Sequence, residues 1–145
     1  MKSFYSVNME IALREAKSAV SRDEVPVGAV IVEGNTGKII AQASNRVEQL
    51  HDSTAHAEMQ VITSACDYLE SRYLNKCELY VTLEPCNHYG KTPPCTSSII
   101  KSGISEVIYP IEDIDKKVKG KSFKILSNRK IKVKRGLLKD EARKL

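Results

Sequence analysis

Thr82-Leu83-Glu84-Pro85-Cys86-Asn87-His88-Tyr89-Gly90-Lys91-Thr92-Pro93-Pro94-Cys95 is the stretch on which the fold of this chain turns. Leu79–Leu83 is an apolar run of strand length. Glu84–Pro94 is rich in Pro, Asn and Gly and reads as a loop. A short helix is expected from about Pro94, because Pro is well placed in a first helical turn. Ile99 and Ile100 would face inward, and Gly103 would end the helix. The unit is therefore strand, loop, helix, with Cys86 and Cys95 flanking the loop and eight residues between them.

Working outward, the same alternation recurs. Met9, Ala12, Leu13, Ala16 and Val20 repeat at three- and four-residue steps and predict a helix over Ser6–Val20. Val27–Val32 is a nearly continuous apolar run, the pattern of a strand buried on both faces. Gly34–Gly37 is a turn, and Lys38–Ala43 returns as the second strand of a hairpin. Ser44–Thr54 is polar and reads as a loop. Thr54 is placed to cap a helix running to about Leu69. Beyond Gly103, Val107–Tyr109 is a strand, Gly120–Asn128 a helix, Ile131–Val133 a short strand and Leu137–Lys144 a last helix. Strands alternating with helices predict an α/β layered domain.

At 145 residues and 16.2 kDa the chain is the size of a single domain, residues 1–145, able to build a core without disulfides. Seven Gly and five Pro exclude a collagen-like or low-complexity chain. No run approaches the ~18 apolar residues of a membrane span. Glu10, Arg14, Glu15 and Lys17 fall where a secretory signal needs an apolar stretch, so a cytoplasmic protein with reduced cysteines is expected. The net charge of +5 is unevenly spread. Residues 116–145 hold 13 Lys/Arg against Asp140 and Glu141, a net of +11, whereas residues 1–115 carry −6. Such a segment is either a solvated surface, the expectation adopted here, or a handle for nucleic acid.

Three groups carry chemistry: His56-Ala57-Glu58, Pro85-Cys86 and Cys95. Zinc favours imidazole nitrogen and thiolate sulfur, and a catalytic zinc keeps one tetrahedral position open for water. His56, Cys86 and Cys95 supply three ligands and leave that position free. Bound zinc brings the pKa of water towards neutrality. Glu58, two residues past His56, can reach that water without occupying the metal, and can carry a proton to a ring nitrogen and to departing ammonia. The alternatives are no metal, or a closed structural site with His88 as fourth ligand, although closed sites usually show paired C-x2-C spacings. Cys66 and Cys77 are expected as buried thiols and His51 as a solvated loop residue.

With these residues in place, the chain resembles the cytidine/deoxycytidylate-type zinc deaminase superfamily over nearly its whole length. The shared elements are H-x-E, then P-C, then a second Cys. The resemblance implies a three-layer α/β/α fold with a five-stranded mixed sheet. It also implies one catalytic Zn2+ between two helix N-termini, and a homo-oligomer.

Thr82–Cys95 is similar to the deaminase of bacterial riboflavin biosynthesis, whose cysteines also stand eight residues apart where most relatives have two. Gly103-Ile104, Val118-Lys119-Gly120-Lys121 and Gly136-Leu137-Leu138 are similar to the same family. Its substrate is a diaminopyrimidinone carrying a ribosylamino 5′-phosphate. The resemblance implies that Lys91 holds the phosphate as a point charge and that His88 hydrogen-bonds the ribose or the ring.

Glu24–Val30 and His51–Glu58 are instead similar to bacterial tRNA adenosine deaminases and guanine deaminases, in which an Asn at the position of Asn45 binds the base. Ala57 joins Asn45, His88 and Lys91 as an implied substrate contact. Val25-Pro26 and Asp113-Ile114-Asp115-Lys116 depart from the riboflavin pattern, which has Asn-Pro and Asp-Pro-Asn-Pro there.

The expectation is a hydrolytic deaminase of the riboflavin-pathway pyrimidine. A chain of 145 residues leaves no room for that family's fused reductase, so a separate reductase chain is expected. The alternatives are a tRNA-specific adenosine-to-inosine deaminase, a guanine- or cytosine-type deaminase, and a zinc-stabilised binding module on the deaminase fold. Glu58 argues against the last, because a structural zinc has no need of a carboxylate beside an open position.

Overall fold

Side-chain alternation in β1 (Gly28–Glu33) sets the layers. Ala29 and Ile31 join one apolar cluster, Val30 and Val32 another, and all four are fully buried. A strand covered on both faces needs exactly such an unbroken apolar run in sequence, with each face claiming alternate residues. The computed structural model describes residues 3–145. Its remaining strands are β2 (Ile39–Ser44), β3 (Cys77–Val81), β4 (Glu106–Tyr109) and β5 (Lys132–Arg135). They form one sheet in the order β2-β1-β3-β4-β5. β1 is antiparallel to β2 and β3, while β3, β4 and β5 run parallel, so the sheet is mixed.

The Met9 stripe forms α1 (Phe4–Val20), longer at its start than the periodicity indicated because the Ser3 hydroxyl accepts the Ser6 N–H. Met9, Ala12 and Leu13 of α1, with Ala142 of α6 (Lys139–Arg143), cover Val30, Val32, Tyr80 and Ile108. The opposite face is covered by α3 (Ala57–Leu69), α4 (Cys95–Ser102) and α5 (Lys121–Asn128), which contribute Val61, Ala65, Ile99 and Leu126. Together with the sheet they make the expected three layers. Cys77 is buried and Cys66 partly so in this second cluster. Burial raises both thiols above their ordinary pKa. No helix among the described residues is long and apolar enough to cross a membrane.

Gly28 lets α1 approach the sheet. A Cβ there would strike the Ala12 carbonyl and lie 2.6 Å from the Ala16 nitrogen. Both are helix backbone and cannot step aside. Gly28→Ala is therefore expected to cost about 1–3 kcal/mol through overpacking, read as a lowered urea midpoint. An unchanged midpoint would mean that α1 does not sit as described.

Several boundaries differ from the sequence reading. The polar loop 44–54 contains a short helix, α2 (Val47–Leu50), which His51 ends in a left-handed conformation; His51 is exposed, as expected. Thr54 does not cap α3. Its hydroxyl and its N–H both go to the Asp52 carboxylate, at 2.6 and 2.9 Å, and α3 begins only at Ala57. Pro94 is the cap residue before α4 rather than a member of its first turn, and Gly103 closes α4 at a φ of 79°.

Candidate functional site

The turn made by Asp52 and Thr54 delivers His56 as the residue before α3, in extended conformation (φ −67°, ψ 153°) and with no side-chain capping bond. Its imidazole is thereby free to point away from its own helix. Glu58 follows in the first turn of α3 and is 5% exposed. Cys95 opens α4, and the loop carries Cys86 back to it. The Cys95 N–H donates to Cys86 Sγ at 3.0 Å. His56 Nδ1 lies 3.4 Å from Cys95 Sγ.

The ligand atoms of His56, Cys86 and Cys95 all lie within 4.8 Å of one another. A tetrahedral zinc with bonds of 2.0–2.3 Å needs neighbouring ligand atoms roughly 3.5–4 Å apart, so the triangle fits one ion. One imidazole and two thiols match zinc's donor preference, and both helix N-termini favour negative charge there. The Cys86 thiol is pulled down to about 4, first by the hydrogen bond from the Cys95 thiol and then by His56 and the Cys95 N–H. Cys95 is pushed up, first by its bond to Cys86 and then by burial. His56 is raised, chiefly by its bond to Cys86. Glu58 is pushed up to about 7, with burial the leading cause. His88 is exposed on the loop and is not part of the cluster, which brings together three candidate ligands among the described residues.

Beside the triangle is a cavity of about 330 Å³ whose walls include His56, Glu58, Cys86, Asn45, Val27 and Leu83. Asn45 is 5% exposed, and its side chain makes no protein hydrogen bond among the described residues, so its amide is available to a ligand. Ala57 is fully buried in the core rather than in the cavity wall. His88 and Lys91, both expected at the substrate, are exposed and lie outside the wall. Eight residues of loop carry them away from the metal triangle, which fixes only the loop's two ends.

Two carboxylates that sequence reasoning missed shape this cavity. Glu24, 5% exposed, accepts the Glu48 and Gln49 N–H groups at 3.1 and 2.7 Å and so anchors the start of α2. Glu84, 2% exposed, accepts from Asp113 N and Gly120 N through Oε1 and from Ser122 N through Oε2, at 3.0–3.1 Å. Asn87 adds bonds of 2.8 Å to the Val118 carbonyl and to the Ser122 hydroxyl. The only trace in sequence was an acid wedged between a strand end and Pro85; its partners lie 29 to 38 residues away. Glu84→Gln leaves at least one buried N–H without an acceptor. An expected loss of about 1–3 kcal/mol would show in thermal melts, with faster amide exchange over 113–122. Unaltered exchange there would remove Glu84 from this role.

A family model for the cytidine and deoxycytidylate deaminase zinc-binding region matches residues 2–111. The tRNA-specific adenosine deaminase of Aquifex aeolicus is 50% identical over 105 residues, 72% of this chain and 64% of that protein. The riboflavin biosynthesis protein RibD of Bacillus amyloliquefaciens is 38% identical over 141 residues, 97% of this chain but 35% of that protein. A solved chain from studies of A-to-I editing by tRNA:A34 deaminases aligns with a TM-score of 0.80 at 38% identity, covering 94% of this chain and 96% of that one. The metal triangle, the buried glutamate beside it and the mixed sheet that places them agree with these matches: the chain belongs to the cytidine and deoxycytidylate deaminase family.

Proposed function

We propose that this chain is a zinc-dependent hydrolytic deaminase acting on the diaminopyrimidinone ribosylamino 5′-phosphate of riboflavin biosynthesis. Deamination is supported above all by Glu58, a buried carboxylate beside a three-ligand triangle. His56, Cys86 and Cys95 would hold the zinc, which when bound makes water a nucleophile at neutral pH. Glu58, held near 7 by burial, suits proton exchange in both directions at that pH. It takes a proton from the water nucleophile and delivers it to the ring nitrogen. A second transfer through Glu58 lets the amino group leave as ammonia while the ring carbon gains its carbonyl. Asn45 orients the ring through its free amide. Ala57, whose methyl is in the core, has only its backbone to offer substrate.

The choice of ring rests on the C-x8-C loop and on a relative, RibD, that matches 97% of the chain. Lys91 and His88 are exposed and lie outside the cavity wall, so this reading rests on neither. This reading implies a reductase acting on the deaminated product, and the family resemblance implies a homo-oligomer. The 50% identity to a tRNA-specific adenosine deaminase favours a second reading, adenosine-to-inosine conversion in tRNA. Ammonia release from the pyrimidine phosphate, a tRNA anticodon stem-loop, guanine, cytidine and deoxycytidylate separates them. The pyrimidine phosphate is expected to exceed the others in kcat/KM by about tenfold or more. Turnover of the stem-loop with none of the pyrimidine overturns the first reading.

A further inference from the structure

The catalytic cavity has charged walls of one sign. Asp23, Glu24, Glu48, Glu58, Glu84 and Asp113 line it, and among the described residues no Lys or Arg does. Away from the metal corner, such walls suit a neutral ring and offer a phosphate no Lys or Arg partner. Asp113 also lines a second, larger cleft of about 800 Å³, so the two spaces share a wall. There the balance reverses, with Lys119, Arg135, Lys139 and Arg143 facing Glu112 and Asp113.

We propose that this second cleft, between the 110–119 segment, β5 and α6, binds the phosphate of a substrate whose ring occupies the catalytic cavity. The proposal rests on the reading of the substrate as a phosphorylated nucleotide-like molecule, and it moves the phosphate away from Lys91.

The cleft has the properties of a phosphate site. Lys119 and Lys139 are exposed at its walls and have no side-chain partner among the described residues. Among the described residues Arg143 has only a loose, exposed pair with Asp140 at 4.0 Å. Arg135 is held in place, its guanidinium 3.9 Å from the centre of the Phe123 ring, which leaves its planar edge to pair with an oxyanion. Gly136, at a φ of 90° and with open space where a Cβ would be, is part of its lining. The segment dividing the two spaces is the one Glu84 pins through Asp113 and Gly120, so ring site and phosphate site are fixed relative to each other.

The test uses the zinc-loaded full chain and a Lys119→Gln/Lys139→Gln variant, both positions being exposed. Inorganic phosphate binding is measured by NMR titration, together with KM for the pyrimidine phosphate and for its dephosphorylated form. The variant is expected to bind phosphate about tenfold or more weakly, to raise KM for the phosphorylated substrate alike and to lose the wild type's preference for it. Equal phosphate affinity and equal KM in the two proteins overturn the proposal even if the pyrimidine is the substrate. Loss of phosphate binding in the variant supports the cleft even if the pyrimidine is never turned over, in which case the substrate reading falls alone. Weakened, salt-steep binding of an RNA stem-loop with phosphate binding unchanged would assign the cleft to an RNA backbone and overturn the proposal.

Discussion

Glu58→Gln is expected to lower kcat for deamination by about 10²–10⁴-fold while leaving zinc content and fold intact. Gln has the size and shape of Glu but cannot pass a proton between water, ring nitrogen and leaving group. Burial is the main force on this carboxylate and acts against its charged form. A neutral amide removes that penalty, so the melting temperature should stay level or rise. The outcome is read from ammonia release, bound zinc per chain and a thermal melt on the same preparation. Turnover equal to wild type would strip Glu58 of its role. Lost turnover together with lost zinc would make the residue a support of the metal rather than the proton carrier.

Removing the metal should have the second largest effect. A ligand that binds only the folded state stabilises it by RT ln(1 + [L]/Kd), about 4 kcal/mol when free zinc exceeds Kd a thousandfold. For a domain of this size that corresponds to roughly 8–16 °C in melting temperature. A strong chelator is therefore expected to lower the melt of the wild type by that order and to abolish ammonia release. Cys95→Ala should behave like the chelated wild type and be indifferent to chelator, since it removes one corner of a triangle of three ligands. A wild type that keeps its melt and its turnover in chelator contradicts the assignment of His56, Cys86 and Cys95.

The layers of the fold were legible because they follow from local periodicity. The three- and four-residue steps of Met9, Ala12, Leu13 and Ala16, and the apolar run 27–32, can each be satisfied only by a covered helix face or a doubly covered strand. Boundaries were less so. Thr54 has the chemistry of a helix cap, but Asp52 claims both its hydroxyl and its N–H, and the helix starts at Ala57. That shift frees the His56 side chain for the site.

The chemistry of the site was written in the sequence as residue types at given spacings: an imidazole, two thiols and a carboxylate two residues past the imidazole. Spacing alone does not say what surrounds them. Glu24 and Glu84 became visible only in three dimensions, because their partners are backbone N–H groups brought from distant segments. His88 and Lys91 stand between the two cysteines in sequence and outside the cavity in space.

The +11 segment read as solvated surface, and most of its lysines are exposed. Counting charges by itself determined that the C-terminal fifth of the chain is basic and the rest acidic. Only the tertiary structure decided that four of those cations converge on one cleft whose wall is shared with an acidic cavity. Local sequence sets which groups exist and which face of an element they occupy. Convergence of groups from β5, α6 and the 110–119 segment requires the sheet order and crossovers, which no local pattern encodes.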